Sequence, residues 1–501
     1  MQERTELLYL KELGIDTNQE YVIFLRRDCP VCKSEGFIAL NRIEVALGEN
    51  KIIASLNIIE NKTILQKGQA GLSQSAWKAV NAKEGDKIRL SHLQPVQSMH
   101  DVRSKIYENR LNESAFQRII NDIKNEKYSN IEIASFITAC SGDHLNIEEI
   151  KSLTKAMIQA GSVIQWNKSV IVDKHCIGGL PGNRTTPIVV SIVAEAGLII
   201  PKTSSRAITS PAGTADTMET VTNVNLDLAT MKSVVEQEGG CMAWGGSIGL
   251  SPVDDILIRV ERALEVDSVG QMIASVLSKK AAAGSTHVVI DIPVGKTAKI
   301  RSEEDAEKLK YYFTVVGKSV GLKVKVIISD GSQPIGRGIG PVLEIRDCIS
   351  VLKNEPDAPR DLKERAILMA GYILEFSNVF KRQNGIQLAK DILESGKAWN
   401  KFQAICKAQG GFKDPKPAQF RYDVLSEKAG IISEIDNRRI AKIARLAGAP
   451  NSPAAGVYFS APLGKRVQKD EVIYTIHSES LGELEYSSEY LKTQKNIIAI
   501  A

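Results

Sequence analysis

Residues 169–186 read Ser169-Val170-Ile171-Val172-Asp173-Lys174-His175-Cys176-Ile177-Gly178-Gly179-Leu180-Pro181-Gly182-Asn183-Arg184-Thr185-Thr186. An apolar run that ends in a charged pair reads as a buried strand, and the three glycines after it read as a turn. The apolar PIVVSIVAEAG (187–197) then reads as a helix. A second unit of the same kind follows: the strand-like LIIPKTSS (198–205), a Gly-containing turn and a helix beginning near Thr214. The pattern resumes with HVVIDIPVG (287–295), the helical EEDAEKLKYYFTVVGKSVG (303–321) and KVKVIISDG (323–331). Strand–loop–helix repetition of this kind marks an α/β domain with a mixed or parallel sheet.

Outward from this core the pattern changes. From 97 to 165 apolar residues recur at three- and four-residue spacing: Phe116, Ile119, Ile120 and Ile123, then Ile131, Ile133, Phe136 and Ile137. Asn146 before IEEI reads as an N-cap followed by first-turn acids. Residues 252–283 are again helical, so 97–165 and 252–283 are expected to form one discontinuous helical domain. It would face an α/β phosphate-binding domain made of 168–250 and 285–420. Residues 1–93 are rich in β-branched and aromatic residues, as in YVIFL (21–25) and KIIASLNII (51–59), and predict a β-rich N-terminal domain. Residues 421–501 predict a small α+β C-terminal domain, with GVYFSAPLGKRVQKDEVIYTIHS (456–478) forming two hairpins. The fold class expected is therefore multidomain, α/β and α.

Composition narrows the function. The chain has 501 residues, more than one core usually serves, with 43% hydrophobic and 25% charged residues. A net charge of +5 is too mild to argue for nucleic acid, and small anions need only a local basic cluster. Seven scattered cysteines read as reduced thiols, no stretch is apolar enough to span a membrane, and the charged N-terminus does not read as a signal peptide. A cytoplasmic protein is expected. Cys29-Pro30-Val31-Cys32 lacks two further ligands for a tetrahedral metal site and reads as a turn with two partly buried thiols. His477 sits in an alternating strand and reads as structural.

Three constellations carry chemistry. In the first, glycines Gly178 and Gly179 let the backbone approach a ligand, and helix N-terminal amides favour an anion. Lys174 adds a full charge, and Thr185 and Thr186 add hydroxyl donors. It is neither a Walker loop nor a dinucleotide fingerprint, because neither spacing is present. The plain alternative is a turn with solvated charge. The second runs Lys202-Thr203-Ser204-Ser205-Arg206-Ala207-Ile208-Thr209-Ser210-Pro211-Ala212-Gly213-Thr214-Ala215-Asp216. Successive βα loops open at the same sheet edge, so two donor-rich loops together are more specific than either alone. The third is Ser275 and Lys279, four apart and thus on one helix face, where they could hold a base or sugar. Lys279-Lys280 also reads as a solvated partner of the helix dipole.

DKHCIGGLPGNRTTP and SSRAITSPAGTADTMET resemble the two signature loops of the thymidine/pyrimidine-nucleoside phosphorylase family. The resemblance covers about 95 to 501. It implies phosphate binding by Lys174, Ser204, Thr214, Thr185 or Thr186 and the glycine-loop backbone. It implies substrate contacts from Ser205, Arg206, the 207–210 stretch (Ala207, Ile208, Thr209, Ser210), Ser275 and Lys279, and a His175 near sugar and base. The family's usual Lys-His-Ser is here Lys174-His175-Cys176, the loop is GGLPGN, and an extra N-terminal domain is present. These departures resemble the archaeal AMP phosphorylases and the type 2 thymidine phosphorylases. That subgroup implies Asp267 as proton donor to the leaving base, and Lys299 as a contact for a substrate 5′-phosphate. The implied reaction splits an N-glycosidic bond with inorganic phosphate as co-substrate and no metal or organic cofactor. Lys279 and His175 remain candidates beside Asp267 for protonating or hydrogen-bonding the base. The implied partners are a nucleoside or nucleotide, phosphate and further copies of the chain, with no nucleic acid and no membrane. A phosphoribosyltransferase is the competing enzyme class. It needs acids to hold magnesium, and in the first loop Asn183 stands in the place of one.

Overall fold

The computed structural model describes residues 7–207, 210–264, 266, 268–377, 384–494 and 497–501. Of the expected site residues, Ile208, Thr209 and Asp267 lie outside the described residues. Contacts divide the chain into two units, Met1–Ala139 and Cys140–Ala501.

The first unit contains a closed barrel of β1 (Leu8–Glu12), β2 (Val22–Arg26), β3 (Arg42–Leu47), β4 (Asn50–Ile59), β5 (Gln69–Leu72) and β6 (Lys87–His92). Their order around the barrel is β1-β5-β2-β4-β3-β6. Closure removes the exposed edges that an open sheet would present. β6 alternates, with Ile88 and Leu90 buried. β2 does not alternate, because Ile23 and Leu25 enter the barrel core while Val22 and Phe24 pack with Leu65 outside it. Both faces are covered, which is why YVIFL is a continuous apolar run. Cys29 and Cys32 are buried in the barrel core, Cys29 preceding the short helix Pro30–Glu35. Helices follow at Met99–Ile106, Glu113–Lys124 and Asn130–Ala139. Asn112 caps the second by accepting from Ala115 N, and its buried face is Ala115, Phe116, Ile119, Ile120 and Ile123. Each such large side chain contributes roughly 1.5–3 kcal/mol by burial.

The second unit begins with the helix Ile147–Ala160, capped by reciprocal Asn146 and Glu149 bonds. It packs with the helices Pro252–Leu264 and Val269–Ala282, although α/β chain lies between them in sequence. The α/β part holds β7 (Val172–Cys176), β8 (Ile200–Ser204), β9 (Gly240–Trp244), β10 (His287–Val294) and β11 (Lys323–Asp330). β11-β10-β7 are parallel throughout, β8 and β9 are parallel, and a parallel bridge from Ile171 to Ile199 joins the two groups. The helix Thr186–Glu195 is buried along nearly its whole length, which accounts for its all-round apolar sequence.

Two sheets close the chain. β12 (Gly338–Ile339), β13 (Phe420–Leu425), β15 (Gly456–Phe459) and β17 (Val472–Ser478) form the order β12-β15-β17-β13. β14 (Gly430–Ile435), β16 (Arg466–Val467) and β18 (Ile498–Ile500) form β16-β14-β18. The expected pair of hairpins in 456–478 is therefore not what forms. β15 pairs with β17 directly, and β16 pairs with β14, with Val467 buried in a core to which both sheets contribute. His477 is buried on β17. The architecture is multidomain α/β. Among the described residues no helix is long and apolar enough to cross a membrane.

Candidate active site

The parallel register decides which way each side chain of β7 points. Val289 pairs with Lys174 and Asp291 with Cys176, so these four share one face, while Asp173 and His175 share the other. The bridge from Ile171 to Ile199 sets β7 beside β8, and Cys176 and Ser204 each end their strand at the edge where the two loops begin.

On the first face Lys174, 2% exposed, donates from Nζ to Thr185 Oγ1 at 2.5 Å. Burial holds its ammonium below the ordinary lysine range, with Arg184 and Arg365 pushing the same way against Cys176 and Asp291. Cys176 accepts from Asn183 Nδ2 at 3.3 Å, and burial pushes its thiol up to about 12, so it stays protonated. The loop returns to the protein through Gly182, whose φ is +68°. A Cβ there would lie 2.1 Å from the Ile335 carbonyl, which accepts from Asn183 N. A Cβ on Gly179 (φ +78°) would meet the Lys299 backbone nitrogen at 2.5 Å, so Lys299 lies directly against the glycine loop.

On the second face Asp173 is wholly buried and receives Lys280 Nζ at 2.7 Å and Lys202 Nζ at 3.4 Å. The ammonium of Lys202 is held well below its ordinary value, first by burial. Lys280, read from sequence as a solvated dipole partner, is 3% exposed, which is a correction: it is a buried partner of Asp173. The His175 imidazole is held well below its ordinary value by burial and by Lys280, Lys202, Lys279 and Lys174, so it is neutral at neutral pH. It is therefore a hydrogen-bonding group there and not a store of protons. Lys279 pairs with the buried Asp254 at 2.7 Å, and Ser275 lies one turn away on the same helix.

The second loop is stapled at its ends. Asp216 Oδ2 accepts from Ala207 N at 2.6 Å and Gly213 N at 2.8 Å. Arg206 is turned to Glu219 (2.5 and 2.8 Å) and lies over the Trp244 ring at 4.8 Å. Ser205 and Ser210 are exposed, and Ser210 Oγ donates to Ala212 O. Gly213, not Thr214, occupies the N-cap, which frees the Thr214 hydroxyl. That hydroxyl accepts from Arg184 Nη1 at 2.8 Å. Ser204 Oγ is buried with no hydrogen-bond partner among the described residues. A buried hydroxyl left unpaired is costly and is satisfied when a ligand supplies the partner. The arrangement brings together a buried ammonium, free hydroxyls and a glycine loop that ends in a helix N-terminus. Such an arrangement can bind an anion, next to a neutral imidazole.

Three family models match in sequence order. The glycosyl transferase family helical bundle domain covers 102–161, the glycosyl transferase family a/b domain covers 168–399, and the pyrimidine nucleoside phosphorylase C-terminal domain covers 431–497. A relative from Legionella pneumophila (strain Corby) described as "Putative thymidine phosphorylase" is 54% identical over 98% of this chain and 95% of its own. One from Hahella chejuensis with the same description is 50% identical over 100% and 99%. The chain belongs to the thymidine/pyrimidine-nucleoside phosphorylase family. It is thus a pentosyltransferase, of nucleoside phosphorylase type. Among solved structures, anthranilate phosphoribosyltransferase from Thermus thermophilus aligns with a TM-score of 0.52 at 18% identity, over 62% of this chain and 98% of that one, which shows a shared fold.

Sequence reasoning passed over Arg184, Asp173, Lys202 and Lys280 as site-builders in this phosphorylase. A signal was present, since Lys202 and Asp173 are charges embedded in apolar strand sequence, and a buried charge must find a partner.

Proposed function

We propose that the enzyme converts thymidine and phosphate to thymine and 2-deoxyribose 1-phosphate. The observation that carries the phosphorolytic reading is the preformed anion site. Lys174 is buried and donates to Thr185, and Ser204 Oγ is buried without a hydrogen-bond partner among the described residues. Phosphate would complete both. Lys174, Thr185, Thr186, Ser204, Thr214 and the Gly178–Gly179 backbone hold the nucleophile in line with the anomeric carbon, which supplies orientation. The bound anion stabilises the oxocarbenium-like transition state. Ser275, Lys279 and Arg206 are assigned to the substrate side with Ser205 and the 207–210 stretch. His175, as a neutral imidazole, hydrogen-bonds sugar or base, and Asp267 or Lys279 delivers the proton to the leaving base. The reaction is assigned no metal or organic cofactor. The protein is assigned to the cytoplasm, as a homodimer or larger homo-oligomer.

A second reading, a nucleoside 5′-monophosphate such as AMP giving base and ribose 1,5-bisphosphate, is favoured by the seat of Lys299 against Gly179. One experiment separates the readings. Pure protein is incubated with phosphate and thymidine, uridine, AMP, CMP or UMP, with and without EDTA, and free base is measured. Base release from thymidine without metal dependence is expected. Release from monophosphates alone, with Lys299→Ala raising their KM at least tenfold or so, selects the second reading. Loss of activity in EDTA selects a phosphoribosyltransferase, and no release from any substrate ends the proposal.

Cys176 allows a finer check. A neutral thiol is a weaker donor than a hydroxyl, so Cys176→Ser is expected to lower the KM for phosphate by roughly threefold with little change in kcat. Initial rates over a phosphate series measure it. A raised KM would mean that thiol volume matters more than donor strength.

A further inference from the structure

Arg184 touches both anion loops at once. Nε donates to Glu344 Oε2 at 2.6 Å, Nη1 to Thr214 Oγ1 at 2.8 Å and Nη2 to the Ala212 carbonyl at 2.8 Å. Its backbone belongs to the first loop, and two of its three partners belong to the second. Glu344 is itself anchored: it is 1% exposed, its Oε1 accepts from Gly340 N, and Oε2 lies 3.5 Å from Thr217 Oγ1. A forked guanidinium with fixed donors can hold three acceptors in one geometry, which a lysine cannot.

The direction of these bonds matters more than their number. A hydroxyl has one proton to give. Because Thr214 Oγ1 accepts from Arg184, its own proton is directed elsewhere. Thr185 Oγ1 is in the same state, since it accepts from Lys174 Nζ. Each hydroxyl is held by a cation, the buried Lys174 or the partly buried Arg184, with its donor turned away from that cation.

We propose that Arg184 is a positioning residue that locks the second loop onto the first and fixes Thr214 as a hydrogen-bond donor to the bound phosphate. The proposal rests on the phosphate-site reading above. It makes the two loops one cradle, held by a side chain that does not itself touch phosphate.

The test is a double-mutant cycle on phosphate. Arg184→Met is expected to raise the KM for phosphate about 30-fold while the KM for the nucleoside changes by less than about threefold. Arg184→Lys keeps the charge and loses the fork, with a rise of about tenfold expected. Thr214→Val removes the donor that Arg184 orients, so adding Arg184→Met to it should change the phosphate KM little further. A merely structural arginine would raise both KM values together, or its effect would multiply with that of Thr214→Val; either result overturns the proposal. Circular dichroism checks folding, and if the methionine variant does not fold, the lysine variant carries the same comparison. Thermal shift with inorganic phosphate separates this proposal from the reaction assigned above. If the wild type releases no base but gains thermal stability from phosphate, the assigned reaction fails, and Arg184 stands or falls on whether Arg184→Lys loses that gain. A wild type that gains none overturns both.

Discussion

Lys174→Met is expected to abolish phosphorolysis and, in phosphate-free buffer, to leave the melting temperature unchanged or raise it. The two effects have opposite signs because one feature causes both. The ammonium is 2% exposed and held below its ordinary range by burial, so the folded protein pays a desolvation cost to keep it there. Thr185 Oγ1 offsets part of that cost. Methionine has a similar length and no charge to desolvate, so it fills the space without that cost. What it cannot do is bind an anion. Loss of the central cation of a preorganised site is expected to lower kcat/KM by about a thousandfold, or roughly 4 kcal/mol at 1.36 kcal/mol per decade. Base release over a phosphate series measures the first effect and a thermal melt the second. A variant that keeps a tenth of the activity removes Lys174 from the centre of the site. A variant that melts several degrees lower shows that the lysine is structural.

How much of this is legible in the sequence depends on how local the cause is. The strand–glycine–helix rhythm of 169–197 declares β7 and its helix, because backbone freedom at glycine and apolar periodicity are local properties. Asn146 caps its helix as its neighbours predict. Lys174 and Ser204 come into view for the same reason: parallel strands end at one edge. Arg184 does not, because its partners are 28 to 160 residues away and nothing around it in the chain marks them. The role of Lys280 fails for a related reason. Near a helix C-terminus a lysine is locally at home in solvent, and only the arrival of Asp173 from β7 turns it inward. The strand β16 is likewise set by a partner, β14, that lies well before it in the chain. Arg206 is a mixed case, since Ser-x-Arg marks the loop while the guanidinium is committed to Glu219 and Trp244.

Asp173 governs the face of β7 opposite to Lys174, and its removal is expected to be the most destabilising single change at the site. The carboxylate is fully buried between Lys280 and Lys202, which are 3% and 4% exposed. Asp173→Asn keeps the shape and leaves two buried ammonium groups without their carboxylate, a loss of about 3–5 kcal/mol. The deficit should depend on pH in a definite direction. The Lys202 ammonium is held well below its ordinary 10.5 in the folded protein, and Asp173 is the first influence that opposes this. Without the carboxylate the folded value drops further, while the unfolded chain keeps its ordinary value. The unfolded state then binds more protons over a wider range, so stability rises with pH more steeply in the variant than in the wild type. The Lys202 part of the deficit is fully present at low pH. It closes as pH rises through the wild-type folded value, and above 10.5 the lysine is neutral in both states and contributes none of it. Urea unfolding at pH 6, 7, 8 and 9 measures this, with Asp173→Asn, Lys202→Met as a control expected to recover part of the loss at pH 7. A deficit that is flat with pH, or that the second substitution deepens, would show that Asp173 stabilises the fold through its hydrogen bond to Lys174 N rather than through the two lysines.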